Sequence, residues 1–392
     1  MYKRKLYYKI KAKIEEKEII VVTGMRRVGK TTLLKMIFDE IKSGNKIFLD
    51  IENPLNQKIF EEEDYDNIWA NLKPLGIDKV KKAYIFIDEV QLKPDITKVI
   101  KYLYDHYDVK FFLTGSSSFY LKNLFPESLA GRKVIFELFP LDFEEFLVFK
   151  EYEKRFYPEL EKKDSEKNKI EYEKMKKLYE EYLEFGGFPQ VVLADGIEKK
   201  KEFLIDVFKS YFEKDVQILA DFREIRAFRD LLLLLLKRIG SKLEITKLSS
   251  EIGVSRETIY SYLSFLEKTY FISLISPYTK SVDREISKTR KIYVCDNGIA
   301  KYIGNCGDGS LLENSVFHNL RKYGDIRYYQ KRTGAEIDFI LDGKIALEIK
   351  NKGNSRDYLK LKKLAERLGI KECYVITREY SDEKSFIPAQ DI

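Results

Sequence analysis

Over residues 1–150 the apolar positions alternate between two spacings. Short β-branched or aromatic runs fall at 18–23, 46–50, 83–88, 109–114 and 133–138, and read as buried strands. Between them, Leu33, Leu34, Ile37, Phe38 and Ile41 recur at helical spacing, as do the apolar residues of 96–106. Alternating strands and helices predict an α/β fold, a doubly wound parallel sheet with its site at the carboxyl ends of the strands. The pattern weakens over 151–184, where Lys, Glu and Tyr dominate until Met175, Leu178, Tyr182 and Leu183. A charged helix lying on the surface is expected there, ended by Gly186-Gly187-Phe188-Pro189. Residues 197–240 read as helical throughout, with the six leucines of 231–236 as a buried helix.

Residues 245–263 predict a short helix, a tight turn at Gly253 and a second helix capped by Ser255. This is a helix-turn-helix, and 270–277 with 291–294 supply the two strands of a wing. Across 309–392 a helix (311–323), strands (327–330, 336–341, 345–350), a helix (357–368) and a strand (372–376) form a small α/β module. The expected organisation is a phosphate-loop core over 1–150, a charged helical connector over 151–196, an all-α winged-helix region over 197–300 and the α/β module over 301–392. No internal repeat is evident.

The first strand runs into Gly24-Met25-Arg26-Arg27-Val28-Gly29-Lys30-Thr31-Thr32, the G-x-x-x-x-G-K-T phosphate loop known as Walker A, and a helix follows. Gly24 and Gly29 let the backbone curl until its N–H groups face phosphates. Lys30 adds a point charge, the Thr31 hydroxyl is a ligand for Mg²⁺, and the helix N-terminus adds partial positive charge. Tyr84-Ile85-Phe86-Ile87-Asp88-Glu89 ends a strand in two acids, the Walker B arrangement. There Asp88 holds Mg²⁺ and Glu89 activates the attacking water. Thr114 and Ser116 end the next strand with hydroxyls suited to the γ-phosphate, although strand ends often carry hydroxyls. Arg132 is a candidate arginine finger, acting in cis or, in a homo-oligomer, in trans; a plain surface arginine fits the spacing as well. ATP and Mg²⁺ are therefore the expected cofactors.

In the last module, nine residues separate Asp338 from Glu348-Ile349-Lys350. This is the D…E-x-K spacing of restriction-type nucleases, with Glu348 and Lys350 on one face of a strand. Asp338, Glu348 and Glu313 on the preceding helix are the expected Mg²⁺ ligands, and Lys350 would orient water or offset phosphate charge. Arg327, Lys331 and Arg332 lie near in sequence and suit a phosphate backbone. Alternating Glu and Lys is equally ordinary edge protection for a strand. On the helix-turn-helix, Arg256, Thr258, Tyr260 and Ser261 are candidates for a DNA major groove, and the same module also serves protein contacts.

The ordered set of motifs resembles the archaeal and bacterial AAA-type ATPases that carry a C-terminal DUF4143 region. The resemblance rests on the phosphate loop, Ile87-Asp88-Glu89-Val90-Gln91, Thr114-Gly115-Ser116-Ser117, Leu129-Ala130-Gly131-Arg132 and Pro140-Leu141-Asp142-Phe143-Glu144-Glu145-Phe146. Gly186-Gly187-Phe188-Pro189, Tyr293-Val294-Cys295-Asp296-Asn297-Gly298 and Glu336-Ile337-Asp338-Phe339 extend it over nearly the whole chain. It implies an AAA-type ATPase, a winged helix and a C-terminal nuclease-like fold. Two other readings of the chemistry are a non-catalytic nucleotide switch or scaffold, whose second half only binds nucleic acid or protein, and a small-molecule kinase.

Composition narrows this little. A chain with 34% charged and 44% hydrophobic residues folds, and a net charge of +7 permits nucleic acid without requiring it. Cys295, Cys306 and Cys373 are too few and scattered for a disulfide framework or zinc site, which fits a reducing cytoplasm. No run reaches membrane-spanning length, and no membrane partner is expected. The first thirteen residues hold six basic side chains and no acid, either a solvated basic strand or helix start or an arm for nucleic acid.

Overall fold

Every residue of β1 (Ile19–Thr23) is buried, which is why its β-branched run has no polar alternation. The structure is a computed structural model that describes residues 2–116, 131–216, 225–279, 289–331 and 334–392. Ser117, Leu129, Ala130 and Arg332 lie outside these described residues. The chain forms two units, the first made of Met1–Phe139 with Ser210–Leu219 and Lys268–Tyr270.

In the first unit, β1 sits between β4 (Val109–Gly115) and β5 (Lys133–Glu137). With β2 (Lys46–Asp50) and β3 (Ala83–Asp88) they form a parallel sheet in the order β2-β3-β4-β1-β5. Ile85 and Ile87 of β3 face one core, with Trp69, Ile100 and Leu103. The alternate residues face the helix Lys30–Glu40, where Phe38 meets Phe86 edge-on at 5.3 Å and Phe86 stacks on Phe112 at 4.3 Å. The period of two then puts Asp88 after Phe86, and Thr114 after Phe112, on the face carrying that helix.

The second unit comprises Pro140–Lys209, Ala220–Glu267 and Phe271–Ile392. A hairpin-like pair, β6 (Ile272–Ile275) and β7 (Lys291–Val294), is antiparallel. A mixed five-stranded sheet runs β12-β11-β10-β9-β8. β8 (Ile326–Gln330), β9 (Glu336–Leu341) and β10 (Ile345–Lys350) are antiparallel, and β10, β11 (Glu372–Thr377) and β12 (Phe386–Pro388) are parallel. The β10–β11 crossover helix, Ser355–Glu366, starts earlier than its apolar spacing suggested, because Asn354 and Asp357 close a capping box. Its Leu361, Leu364 and Ala365 pack with Ile337, Ala346 and Val375. The helix Asp308–Leu320 likewise begins three residues before the expected 311.

Helices Ile245–Ile252 and Arg256–Lys268 flank a left-handed Gly253 (φ +78°), and Ser255 Oγ accepts the Thr258 N–H at 3.1 Å. The largest departure from expectation lies at 151–184. Helix Lys169–Phe185 is no surface connector: Tyr172, Met175, Tyr179, Tyr182, Leu183 and Phe185 are buried. Tyr179 packs edge-on against Phe143 at 4.9 Å, and the Tyr182 hydroxyl donates to Leu141 O at 3.0 Å. Tyrosine supplies a large apolar body with a polar tip, so a Lys/Glu/Tyr helix hides a core face that aliphatic spacing misses. Among the described residues no helix is long and apolar enough to cross a membrane.

Candidate functional site

The phosphate loop is held by what lies behind it. Met25 and Val28 are buried, so the loop turns its side chains inward at those points. Gly24 has φ +152°, and a Cβ there would stand 2.0 Å from Leu138 O; only glycine fits. Gly29 caps the helix Lys30–Glu40 in the left-handed region. Arg4, from the basic N-terminal stretch, donates to Val28 O at 3.1 Å and Phe139 O at 2.9 Å. That stretch is neither a solvated start nor a free arm throughout: Tyr7 and Ile10 of helix Lys5–Lys11 are buried too.

Lys30 is 5% exposed, and its Nζ donates to Gly24 O at 2.9 Å and Met25 O at 3.0 Å. Burial pulls its ammonium down, opposed by Glu89 and Asp215. The Thr31 hydroxyl donates to Asp88 Oδ2 at 2.7 Å, and the Thr114 hydroxyl donates to Asp88 Oδ1. Burial raises the Asp88 carboxyl and the two hydroxyls counter it. Thr31, Asp88 and Thr114 thus meet at one point, and Thr32 is exposed on the helix.

Glu89 takes a left-handed backbone (φ +56°) and its N–H donates to Thr114 Oγ1 at 3.0 Å. Its side chain belongs to a closed ring of polar groups. Gln91 Nε2 donates to Glu89 Oε2 and, at 3.0 Å, to Ser116 Oγ. Ser116 Oγ donates to Asp215 Oδ1 at 2.9 Å. Arg26 closes the ring, 3.1 Å from Asp215 Oδ2 and 3.7 Å from Glu89 Oε1. Burial pushes the Asp215 carboxyl up to about 6 against the pull of Arg26 and Ser116. Asp215 escaped sequence analysis because it lies 99 residues beyond Ser116 in a stretch without motif spacing.

Arg132 stands elsewhere. Its carbonyl accepts the N–H of Ile19, the first residue of β1, and its Nε pairs with Asp105 at 2.9 Å. The loop follows the last residue of β1, so the two lie at opposite ends of the sheet, roughly 20 Å apart at about 3.3 Å per residue. A finger acting in cis is thereby ruled out.

In the second unit the D…E-x-K residues do converge. Asp338 Oδ2 accepts the Ile349 N–H at 2.8 Å, and Lys350 Nζ donates to Glu348 Oε1 at 2.7 Å. The expected metal cluster does not form. Lys291 of β7, 3% exposed, places its ammonium among Glu336, Glu313 (3.5 Å) and Asp338 (3.7 Å). The Tyr293 hydroxyl donates to Glu313 at 2.7 Å. Among the described residues no three His, Cys, Asp or Glu side chains form a group suited to a metal ion. The Mg²⁺ assignment of Glu313, Asp338 and Glu348 is corrected accordingly: the Lys291 ammonium already stands 3.5 and 3.7 Å from two of the three. Burial depresses the Lys291 ammonium, but Glu313, Asp338 and Glu336 raise it more, so it stays charged. Burial, then Glu348 and Glu313, push the Asp338 carboxyl up. Arg327 pairs with Asp325 at 2.6 Å. On the helix-turn-helix, Arg256, Tyr260 and Ser261 are exposed and Thr258 is half-buried.

A parallel sheet whose interior strand β1 feeds a phosphate loop, with β4 between it and the strand ending Asp88, defines a P-loop ATPase fold of AAA type. An AAA domain model (AAA_14) matches residues 16–147, and two domains of unknown function match 176–309 (DUF8612) and 308–391 (DUF4143). An uncharacterized protein of Methanocaldococcus jannaschii, MJ1544, is 30% identical over 95% of this chain and 85% of its own length. One of Haemophilus influenzae is 28% identical over 93% and 90%. The chain belongs to this family of AAA-type ATPases with a C-terminal DUF4143 region. Among solved structures, the ORC1 protein of Aeropyrum pernix in complex with DNA aligns over 82% of this chain and 94% of that one, at 12% identity and a TM-score of 0.32.

Proposed function

We propose that this chain is a Mg²⁺-dependent ATP hydrolase whose nucleotide state governs a nucleic-acid-binding second half. The observation that carries the first part is the junction of Thr31, Asp88 and Thr114 beside Glu89, at the mouth of a loop whose Gly24 admits no side chain. Thr31 and Asp88 fit a hard cation, offering a hydroxyl and a carboxylate that already meet. ATP with Mg²⁺ supplies the anhydride and a cation that offsets its charge. The chain's part is binding and proton handling. Gly24 to Thr32 cradle phosphates, with Lys30 leaving the loop carbonyls for them. Glu89 accepts the proton of water, and Thr114 and Ser116 position the groups around it. Arg132 remains a candidate only in trans, within a homo-oligomer.

The second part rests on the helix-turn-helix with the β6–β7 pair, read as a winged helix, and on the α/β module, read as nuclease-like in fold. Arg256 and Tyr260 lie exposed four residues apart, as a groove-reading face requires. The four-part organisation at 150, 196 and 300 is part of this proposal. Three free, buried cysteines suit a reducing cytoplasm.

A nucleotide switch with slow turnover is a second reading, favoured by Glu89 being held by both Gln91 and Arg26. The deciding experiment is ATP turnover by the full chain with and without single- or double-stranded DNA. Steady turnover that DNA stimulates supports the hydrolase. Stable ATP retention without turnover, by the unaltered protein, selects the switch.

A further inference from the structure

The nuclease-like spacing implies a divalent cation, and the donor set does not fit one. Hard cations bind carboxylate oxygens at about 2.0–2.6 Å and need those oxygens free of other cations. Here the ammonium of Lys291 sits inside the set, near carboxylates from helix Asp308–Leu320 and from two positions of β9. It is anchored on a strand, not a loop: Lys291 pairs with Ile275 in the β6–β7 ladder. Gly240 closes the cluster behind Glu313; a Cβ there would meet the Glu313 carboxylate at 2.6 Å. A second cation would meet the repulsion of a buried positive charge that has little room to move.

Beside the cluster lies a groove of about 360 Å³. Glu348 and Lys350 line it, and Lys360, Lys363 and Arg367 come from the crossover helix and the turn that ends it. These three are exposed and recur at helical spacing along one side. Such a row complements a phosphate backbone.

We propose that Lys291 takes the place of the divalent cation, so that the C-terminal module grips a nucleic-acid backbone without metal and does not cut it. The gripping half of this rests on the nucleic-acid reading above; the Lys291 half stands on the cluster alone. No hydrolytic step is assigned to Asp338, Glu348 or Lys350.

The test uses the nucleotide-free full chain, melted in EDTA and in millimolar Mn²⁺. The expected melting midpoint of the unaltered protein is the same in both. Lys291→Met should melt lower in EDTA and recover by about 2–4 °C or more in Mn²⁺. Lys291→Met combined with Asp338→Asn should lose that recovery. Plasmid DNA should stay intact with Mg²⁺ or Mn²⁺, and duplex binding should be equal in EDTA. Replacing Lys360 and Lys363 by Glu should weaken duplex binding at least about tenfold. A Mn²⁺-induced rise in the unaltered protein that Asp338→Asn abolishes overturns the proposal, and so does metal-dependent nicking lost in Asp338→Asn. Both readouts hold even if Lys291→Met does not fold. Absence of duplex binding overturns the nucleic-acid reading and the gripping half with it, while the melts still judge Lys291.

Discussion

Both units bury basic side chains among acids, and they do it differently. In the first, Lys30 and Arg26 belong to a loop, and Lys30 is held by backbone carbonyls of that loop. Arg26 shares Glu89 and Asp215 at 3.7 and 3.1 Å. In the second, Lys291 projects from a paired strand and has three carboxylates around it. A cation on a loop with weak neutral partners can be transferred to an incoming phosphate. One pinned by ladder hydrogen bonds and three carboxylates acts as a fixed counter-charge. The same buried charge pattern therefore comes with a transferable cation in one unit and a pinned one in the other.

The sharpest way to break this contrast is to remove each lysine. Lys30→Ala is expected to abolish ATP binding, read by fluorescent-nucleotide titration, with little change in the melting midpoint. Glu89→Gln should keep binding and lower turnover by about 10²–10⁴-fold; normal turnover would remove Glu89 from its role as base. Lys291→Met should do the reverse, leaving ATP binding intact and costing about 3–5 kcal/mol in denaturant unfolding, because three carboxylates lose their cation. A stability loss under about 1 kcal/mol would mean that the carboxylates relax to solvent without it.

Smaller effects sharpen the picture. Asp215 and Asp296 both have carboxyls pushed up to about 6 by burial. Asp215 faces Arg26, whereas Asp296 has backbone N–H partners from Gly187, Gly298 and Ile299. A raised folded value means that the folded state binds the proton more tightly. Each contribution is thus full below the ordinary value near 3.8 and is lost as pH rises to about 6. Asp296→Asn should flatten that part of the stability profile by up to about 1.4 kcal/mol per pH unit. An unchanged slope would show that the carboxylate is ionised in the fold. Arg132→Ala, the smallest expected change, should leave turnover within about twofold at dilute protein. A loss that grows with protein concentration would place Arg132 at a neighbouring copy's site.

Local order was readable wherever one element declares itself. The strand, loop and helix around Gly24–Thr32 and the strand ending Asp88-Glu89 needed only spacing. So did the helix-turn-helix around Gly253. The helix over Lys169–Phe185 was misjudged because tyrosines carry its buried face. The expected metal cluster failed for a different reason: Asp338, Glu348 and Lys350 do approach each other, but Lys291 comes from another sheet of the same unit.

By itself the sequence determined most elements, the phosphate-loop spacing and the strand end that brings Asp88 to Thr31, because periodicity and a parallel register carry residues to a predictable strand end. Only the tertiary structure decided that Asp215 closes a ring with Arg26, that Arg132 sits at the far end of the sheet and that Lys291 fills the carboxylate cluster. Those contacts join residues from about twenty to almost two hundred positions apart. Nothing in local spacing records which side chains the packing of sheets and helices will bring within a few ångströms, or which cation will arrive there first.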